Sequence, residues 1–154
     1  MREVNIIPMA GEGIRFKKFT NIPKPMIKIG NDEMILHATK SLPKADLWIF
    51  ICQKNHSTKY KLKELLDIKF KKKYILIELK KLSQGQASTC YEASKYLNID
   101  DKINIGSCDS TIFYNQIKAK KLLEKSDILI YTFKNQKFSN KNPYAYGWIK
   151  PLNK

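Results

Sequence analysis

The sequence predicts an α/β fold with a mostly parallel sheet, and two observations carry that prediction. Short apolar runs recur along the chain, and amphipathic stretches of helical length separate them. The runs are Val4-Asn5-Ile6-Ile7, Leu47 to Ile51, Tyr74 to Leu79, Ile103-Asn104-Ile105 and Ile128 to Tyr131. Near-continuous apolar runs of this length suit strands buried on both faces. Between them, Met34 to Ser41, Ser57 to Leu66, Gln86 to Tyr96 and Tyr114 to Glu124 have the length and spacing of helices. Strands separated by such helices imply βαβ units, which stack into a Rossmann-like three-layer sandwich. Sheets of this kind bind ligands beyond the carboxyl ends of their strands, so the residues after each run are where a site is to be sought.

The tail changes character. Lys134 to Asn142 is polar, and Ala145 to Ile149 resembles one more strand. The sandwich therefore reads as incomplete at its C-terminus.

A chain of 154 residues suits one domain, and folding it removes roughly two thirds of its unfolded surface from water. With 43% hydrophobic and 11% aromatic residues the chain is globular rather than disordered. No stretch approaches the ~18 uninterrupted apolar residues of a membrane helix. Met1-Arg2-Glu3 leads straight into a strand-like run, without the apolar core of a secretory leader. A cytoplasmic protein with no membrane partner is expected. Cys52, Cys90 and Cys108 lie far apart with no CxxC spacing, which gives neither a zinc site nor a disulfide framework and fits a reducing compartment.

The net charge of +15 raises the possibility of a basic nucleic-acid-binding module. The make-up of the charge disfavours it. Of 29 basic residues only Arg2 and Arg15 are arginines, and the lysines are spread along nearly the whole chain. Dedicated binders exploit the planar arginine fork for phosphates and bases. Lys71-Lys72-Lys73 precedes an apolar run and reads as a solvated approach to a strand.

Two loops carry chemistry. The first run leads into Pro8-Met9-Ala10-Gly11-Glu12-Gly13-Ile14-Arg15-Phe16. Two glycines one residue apart, directly after a buried strand, allow a tight turn that brings backbone N–H groups against an anion. Arg15 adds a permanently charged fork. Neither a Walker A loop nor a dinucleotide GxGxxG motif is present, since the latter needs glycine where Phe16 stands. Eight residues after Arg15 comes Pro23-Lys24-Pro25-Met26, whose prolines restrict the backbone around Lys24. A stiffly held second cation beside a glycine turn is what a triphosphate requires. At the end of another apolar run, Asp109 has two readings: a ligand for a hard, oxygen-liganded cation, or the N-cap of a following helix. His56 follows a strand and is placed to approach a ligand, and His37 sits in an expected helix, yet for both a structural or solvated role is the favoured reading.

Together these segments resemble the sugar-phosphate nucleotidyltransferase family. Ile6 to Phe16 followed by Pro23-Lys24-Pro25-Met26 is similar to its signature. Gln84-Gly85-Gln86-Ala87 resembles its nucleobase-contacting segment, Ile105 to Asp109 its strand-end magnesium aspartate, and Pro143 to Trp148 the stretch leading toward the acceptor site. The resemblance implies transfer of NMP from an NTP to a sugar 1-phosphate or similar phosphorylated alcohol, with release of pyrophosphate, in the synthesis of surface-polysaccharide precursors. It implies that Ala10, Gly11, Gly13 and Arg15 wrap the triphosphate. Lys24 would neutralise charge at the reacting phosphates, with Arg15 as its catalytic companion. Gly85 would contact the base, and Asp109 would hold Mg2+.

The chain also departs from the pattern. Ile14 stands where the family carries Thr or Ser, and Met9 replaces a smaller residue. The second metal-binding aspartate and the lysine-bearing acceptor pocket have no counterpart. A truncated enzyme, or a nucleotide-binding domain without turnover, is the expectation these departures raise.

Overall fold

The strand Glu3–Met9 (β1) is apolar on both faces because it has a neighbour on either side and a layer above and below. The computed structural model describes residues 1–71, 73–134 and 137–150. They form two compact units, one from Met1 to Phe113 and the other from Tyr114 onward. After β1, the first unit contains a hairpin of two-residue strands, β2 (Lys28–Ile29) and β3 (Asp32–Glu33), followed by α1 (Met34–Thr39) and β4 (Leu47–Gln53). Then come α2 (Lys54–Lys59), α3 (Leu62–Phe70), β5 (Tyr74–Leu79), α4 (Gln86–Tyr91) and β6 (Lys102–Ile105).

The main sheet is four-stranded and wholly parallel, in the order β5-β4-β1-β6. Alternation along the strands divides the core in two. Ile7 and Met9 of β1 with Phe50 and Cys52 of β4 face Ile35 and Leu36 of α1 and Leu62 and Leu66 of α3. Val4, Ile6, Ile49, Ile51 and Ile77 face the other way, onto Ala93, Cys90 and Leu97 beyond and within α4. Helices therefore cover both faces, and the predicted three-layer α/β sandwich is the observed one. Phe50 anchors the first core, with ring centroids of Phe70 and Tyr74 at 4.9 and 6.1 Å and Trp48 stacked at 6.0 Å. Burying such a ring contributes about 1.5–3 kcal/mol.

One polar group sits deep in the sheet. Asn5 is fully buried, donates from Nδ2 to the Pro43 carbonyl at 2.8 Å and accepts from Asn104 Nδ2 at 3.1 Å. Asn5 and Asn104 are register partners on β1 and β6. A register slip would strand these amides, so the pair fixes how β6 docks. Arg2 reinforces that docking from the strand's start, where Nε reaches Asp101 Oδ1 at 3.0 Å and Nη2 reaches the Tyr96 carbonyl at 2.9 Å.

Several elements differ from the sequence expectation. The helix expected over Ser57 to Leu66 is two helices, because Lys61 adopts a left-handed conformation (φ 49°) between α2 and α3. The helix expected to reach Tyr96 ends at Tyr91 and gives way to a 3-10 turn over Ser94–Tyr96. The second unit contains α5 (Gln116–Leu123) and α6 (Lys137–Lys141), with a 3-10 turn at Pro143–Ala145. Asn115 caps α5, accepting from Lys118 N at 2.9 Å. Neither Ile128 to Tyr131 nor Ala145 to Ile149 is a strand among the described residues. Ile128 and Ile130 are 75% and 65% exposed. An apolar run becomes a strand only where a neighbour completes its hydrogen-bond ladder, and no sequence period encodes that neighbour.

Replacing Asn5 with leucine leaves the Pro43 carbonyl and the Asn104 amide without their partner. Urea unfolding of Asn5→Leu is expected to show a loss of about 1–3 kcal/mol with an unchanged m value.

Candidate active site

From β1 the chain crosses to β4 and then β5 on one side, and β6 returns to the other side of β1. The strand order thus reverses between β1 and β6. In open α/β sheets, that reversal opens a crevice beyond the carboxyl ends of the two strands. The loops that fill this position are the two that carry the candidate residues. Residues 10–16 leave β1, and residues 106–109 leave β6.

The first loop is held at its base. Ala10 is buried, and its carbonyl accepts from Gln53 Nε2, at the end of β4, at 2.8 Å. Gly13 takes φ 62° and ψ 31°, a left-handed conformation that favours glycine, and opens a 3-10 turn over Ile14–Phe16. Phe16 N donates to the Gly13 carbonyl at 2.8 Å. Gly11 has no positive φ and open space around it, so neither backbone conformation nor a close contact within the chain demands glycine there.

Lys24 follows Pro23 at the head of a 3-10 turn over Lys24–Met26, with Pro25 buried beneath it. A Cβ placed on Gly13 would lie 3.9 Å from Lys24 Cβ, so the glycine turn and the lysine are packed together. The Lys24 ammonium lies 4.8 Å from the centroid of the Phe16 ring and pairs with Asp109 Oδ2. The Ser107 hydroxyl donates to the other carboxylate oxygen, and Ser110 Oγ adds a contact at 3.3 Å. Burial tends to raise the Asp109 carboxyl, but the hydrogen bonds from Lys24 and Ser107 outweigh it and hold the group below its ordinary 3.8. Asp109 is therefore an anion at any physiological pH. It caps no helix, since α5 begins seven residues later at Gln116.

Gly106 makes this approach possible. Its N–H donates to the Ile6 carbonyl at 3.0 Å, and a Cβ there would meet Leu42 Cδ1 at 2.6 Å and Ile7 Cδ1 at 3.1 Å. A side chain there would push the Leu42 and Ile7 methyl groups aside, so glycine lets β6 run close under Leu42 without that repacking.

The remaining predicted residues are placed differently. Arg15 is exposed and makes no hydrogen bond or ion pair to another described residue. Gly85 lies beyond β5, the far edge of the sheet from β6, with β4 and β1 between. Its extended backbone is one that any residue adopts, and its carbonyl accepts from Thr89 N at 3.0 Å and Ser88 Oγ at 2.9 Å at the start of α4. Around the stretch expected near the acceptor, Trp148 Nε1 donates to the Pro143 carbonyl at 2.8 Å.

Sequence reasoning did not single out Lys17 and ranked His56 as structural or solvated although it follows a strand. The two line a cleft of about 100 Å³ together with Glu12, Gly13, Thr20, Asn21, Pro23 and Lys24. Burial holds the His56 imidazole below the ordinary 6.5, and the Lys17 ammonium lowers it more.

The donor set can be compared with what Mg2+ requires. Among the described residues no three acidic, histidine or cysteine side chains form a cluster able to cage a metal ion. Magnesium is commonly held by one or two carboxylates plus substrate phosphates, with waters completing the octahedron. A single anionic Asp109 beside a cationic turn fits an ion that arrives with the phosphates, not one caged by protein alone.

No protein-family model matches the sequence, and no curated protein matches it significantly. Solved structures do. The inositol-1-phosphate CTP transferase from T. maritima superposes with a TM-score of 0.60 at 21% identity, over 72% of this chain and 44% of that one. A nucleoside-diphosphate-sugar pyrophosphorylase from Vibrio cholerae RC9 gives 0.59 at 22% identity, over 75% and 52%. This chain therefore has the α/β fold seen in those two proteins and spans about half their length. No helix among the described residues is long and apolar enough to cross a membrane.

The depressed carboxyl makes the site a pH-dependent source of stability. An acid whose native pKa lies below its unfolded value stabilises the fold above the unfolded pKa, and loses that contribution as pH falls through the native one. Asp109→Asn is expected to be less stable than the parent at pH 7. The gap should close as pH falls below 3.8, as followed by thermal unfolding across pH.

Proposed function

We propose that the chain is a nucleotidyltransferase, with residues 1–154 as the nucleotide-binding portion of that enzyme. It would transfer NMP from an NTP to a sugar 1-phosphate or similar phosphorylated alcohol and release pyrophosphate. Synthesis of surface-polysaccharide precursors in the cytoplasm is the setting that suits this chemistry. One observation carries the reading. Gly13, Lys24 and Asp109, from three separate segments, meet beyond β1 and β6, where the strand order reverses. The fold shared with a CTP transferase and a nucleoside-diphosphate-sugar pyrophosphorylase supports it.

In such a reaction an acceptor phosphate oxygen attacks the α-phosphorus in line, and the bond to the bridging oxygen of the β-phosphate breaks. The attacking oxygen is already anionic, so neither a protein nucleophile nor a general base is needed. Catalysis then rests on positioning and on neutralising charge as it develops. The backbone of Ala10 to Gly13 would cradle the phosphates. Arg15, unpaired and exposed, is free to close on the β- and γ-groups. Lys24 would exchange its carboxylate partner for phosphoryl oxygens while remaining within reach of Asp109. Gly85 would border the base. Mg2+ bound at Asp109 would supply charge neutralisation across the phosphates.

A nucleotide-binding domain without turnover is the second reading. It is favoured by the absence, among the described residues, of a carboxylate cluster around Asp109. Pyrophosphate release, measured with each of the four NTPs and a panel of sugar 1-phosphates, separates the two. Sustained turnover is expected, and binding with no release would favour the silent domain. Lys24→Ala is expected to lower turnover by about 10²–10³. Asp109→Asn should weaken Mg-NTP binding clearly in calorimetry, and an unchanged affinity would remove the metal assignment.

A further inference from the structure

The cleft between the post-β1 loop and α2 shares Lys24 with the Asp109 pair and adds Lys17 and His56 beyond it. One wall is Glu12 to Lys24, which leaves β1, and the other is His56 of α2, which leaves β4. The two strands are adjacent and parallel, so both walls stand at the same edge of the sheet. The Tyr60 hydroxyl, just past α2, donates to the Asn21 carbonyl at 2.9 Å and ties one wall to the other. The residues that line the cleft include Lys17, Lys24, Thr20 and Asn21, with Glu12 as the one acid. Glu12 lies 3.6 Å from Lys17, a loose pair that leaves the ammonium available. Among the described residues, no hydrogen bond uses either His56 ring nitrogen.

Size narrows the occupant. The cleft is small, about 100 Å³, and its two lysines and histidine suit a compact anionic group such as a phosphoryl. We propose that this cleft is the subsite for the terminal phosphoryl group of a polyphosphate, with His56 and Lys17 as the residues that bind it. The proposal rests on the nucleotidyltransferase reading for the direction of the chain of phosphates. Lys24 sits on the wall shared with the Asp109 side, so a triphosphate with its α-group near Asp109 can extend past Lys24 into the cleft. After transfer the same contacts hold the released pyrophosphate, and His56 becomes a determinant of how fast that product leaves.

His37 and His56 are the two histidines of the chain, which makes a direct readout available. His37 Nε2 is engaged by the Ile29 carbonyl at 2.9 Å and serves as the internal control. Pyrophosphate titrated into the full chain, without metal, is expected to raise the His56 titration midpoint seen by NMR and leave that of His37 in place. A dianion beside the ring favours imidazolium. The other charges facing His56 are Glu12, Lys17 and Lys24 across the cleft, with Lys54 and Lys59 on its own helix. His56→Ala and Lys17→Ala should each weaken pyrophosphate binding about tenfold, the scale of one lost charge-assisted hydrogen bond. His56→Gln, which keeps an N–H donor, should restore part of it. Binding of the corresponding nucleoside monophosphate should be unchanged in all three.

Pyrophosphate affinity indifferent to both alanine variants, or an unmoved His56 resonance, would overturn the subsite and leave the nucleotidyltransferase reading standing. Pyrophosphate binding that needs His56, in a chain that neither binds nor turns over any NTP, would uphold the subsite and overturn that reading. Because Lys17 is exposed, Lys17→Ala keeps the test decisive even if a His56 variant fails to fold.

Discussion

The contact between Lys24 and Asp109 organises the site, and the parallel pairing of β1 with β6 makes it possible. The two residues are 85 positions apart, so their meeting is purely a product of the sheet. Each would be costly to bury alone. Paired, and with Ser107 on the second carboxylate oxygen, they tolerate a largely buried position. The arrangement also keeps a cation and an anion side by side at one spot beyond the sheet.

The net charge of +15 acquires a different meaning at this edge of the sheet. Most lysines are scattered over solvated surface. Two, Lys17 and Lys24, converge beyond β1 and β4 beside a glycine turn. Convergence matters more than total charge, because neighbouring cations with low-dielectric walls focus the field on an anion while dispersed ones are screened by salt. The lowered His56 imidazole reflects burial first and the neighbouring Lys17 ammonium second.

Rigid support lies behind the site. Gln53 pins Ala10, Tyr60 pins Asn21, and the Asn5–Asn104 pair sets the register of β6. Gly106 then allows β6 to run under Leu42 without collision. Loops that carry charge are mobile unless tied to the scaffold, and each loop here has at least one tie from a neighbouring strand or helix.

The α/β class, all four strands of the main sheet and the positions of the glycine turn, Lys24 and Asp109 were legible in the sequence. Each depends on local chemistry: β-branched runs, a glycine at a left-handed turn, prolines flanking a lysine, a carboxylate after a strand. What lay beyond it depended on partners. Ile128 to Tyr131 has the composition of a strand but joins no ladder among the described residues, and a left-handed Lys61 interrupts a stretch that its periodicity reads as one helix. His56 follows a strand yet read first as solvated, and the fold lines it up in one cleft with Lys17, while Gly85 begins a helix at the far edge of the sheet from Asp109. Local sequence specifies which conformations each segment favours. Only the folded sheet decides which distant side chains share a crevice, because that choice is made by strand order and register, and these are settled by the whole chain's burial at once.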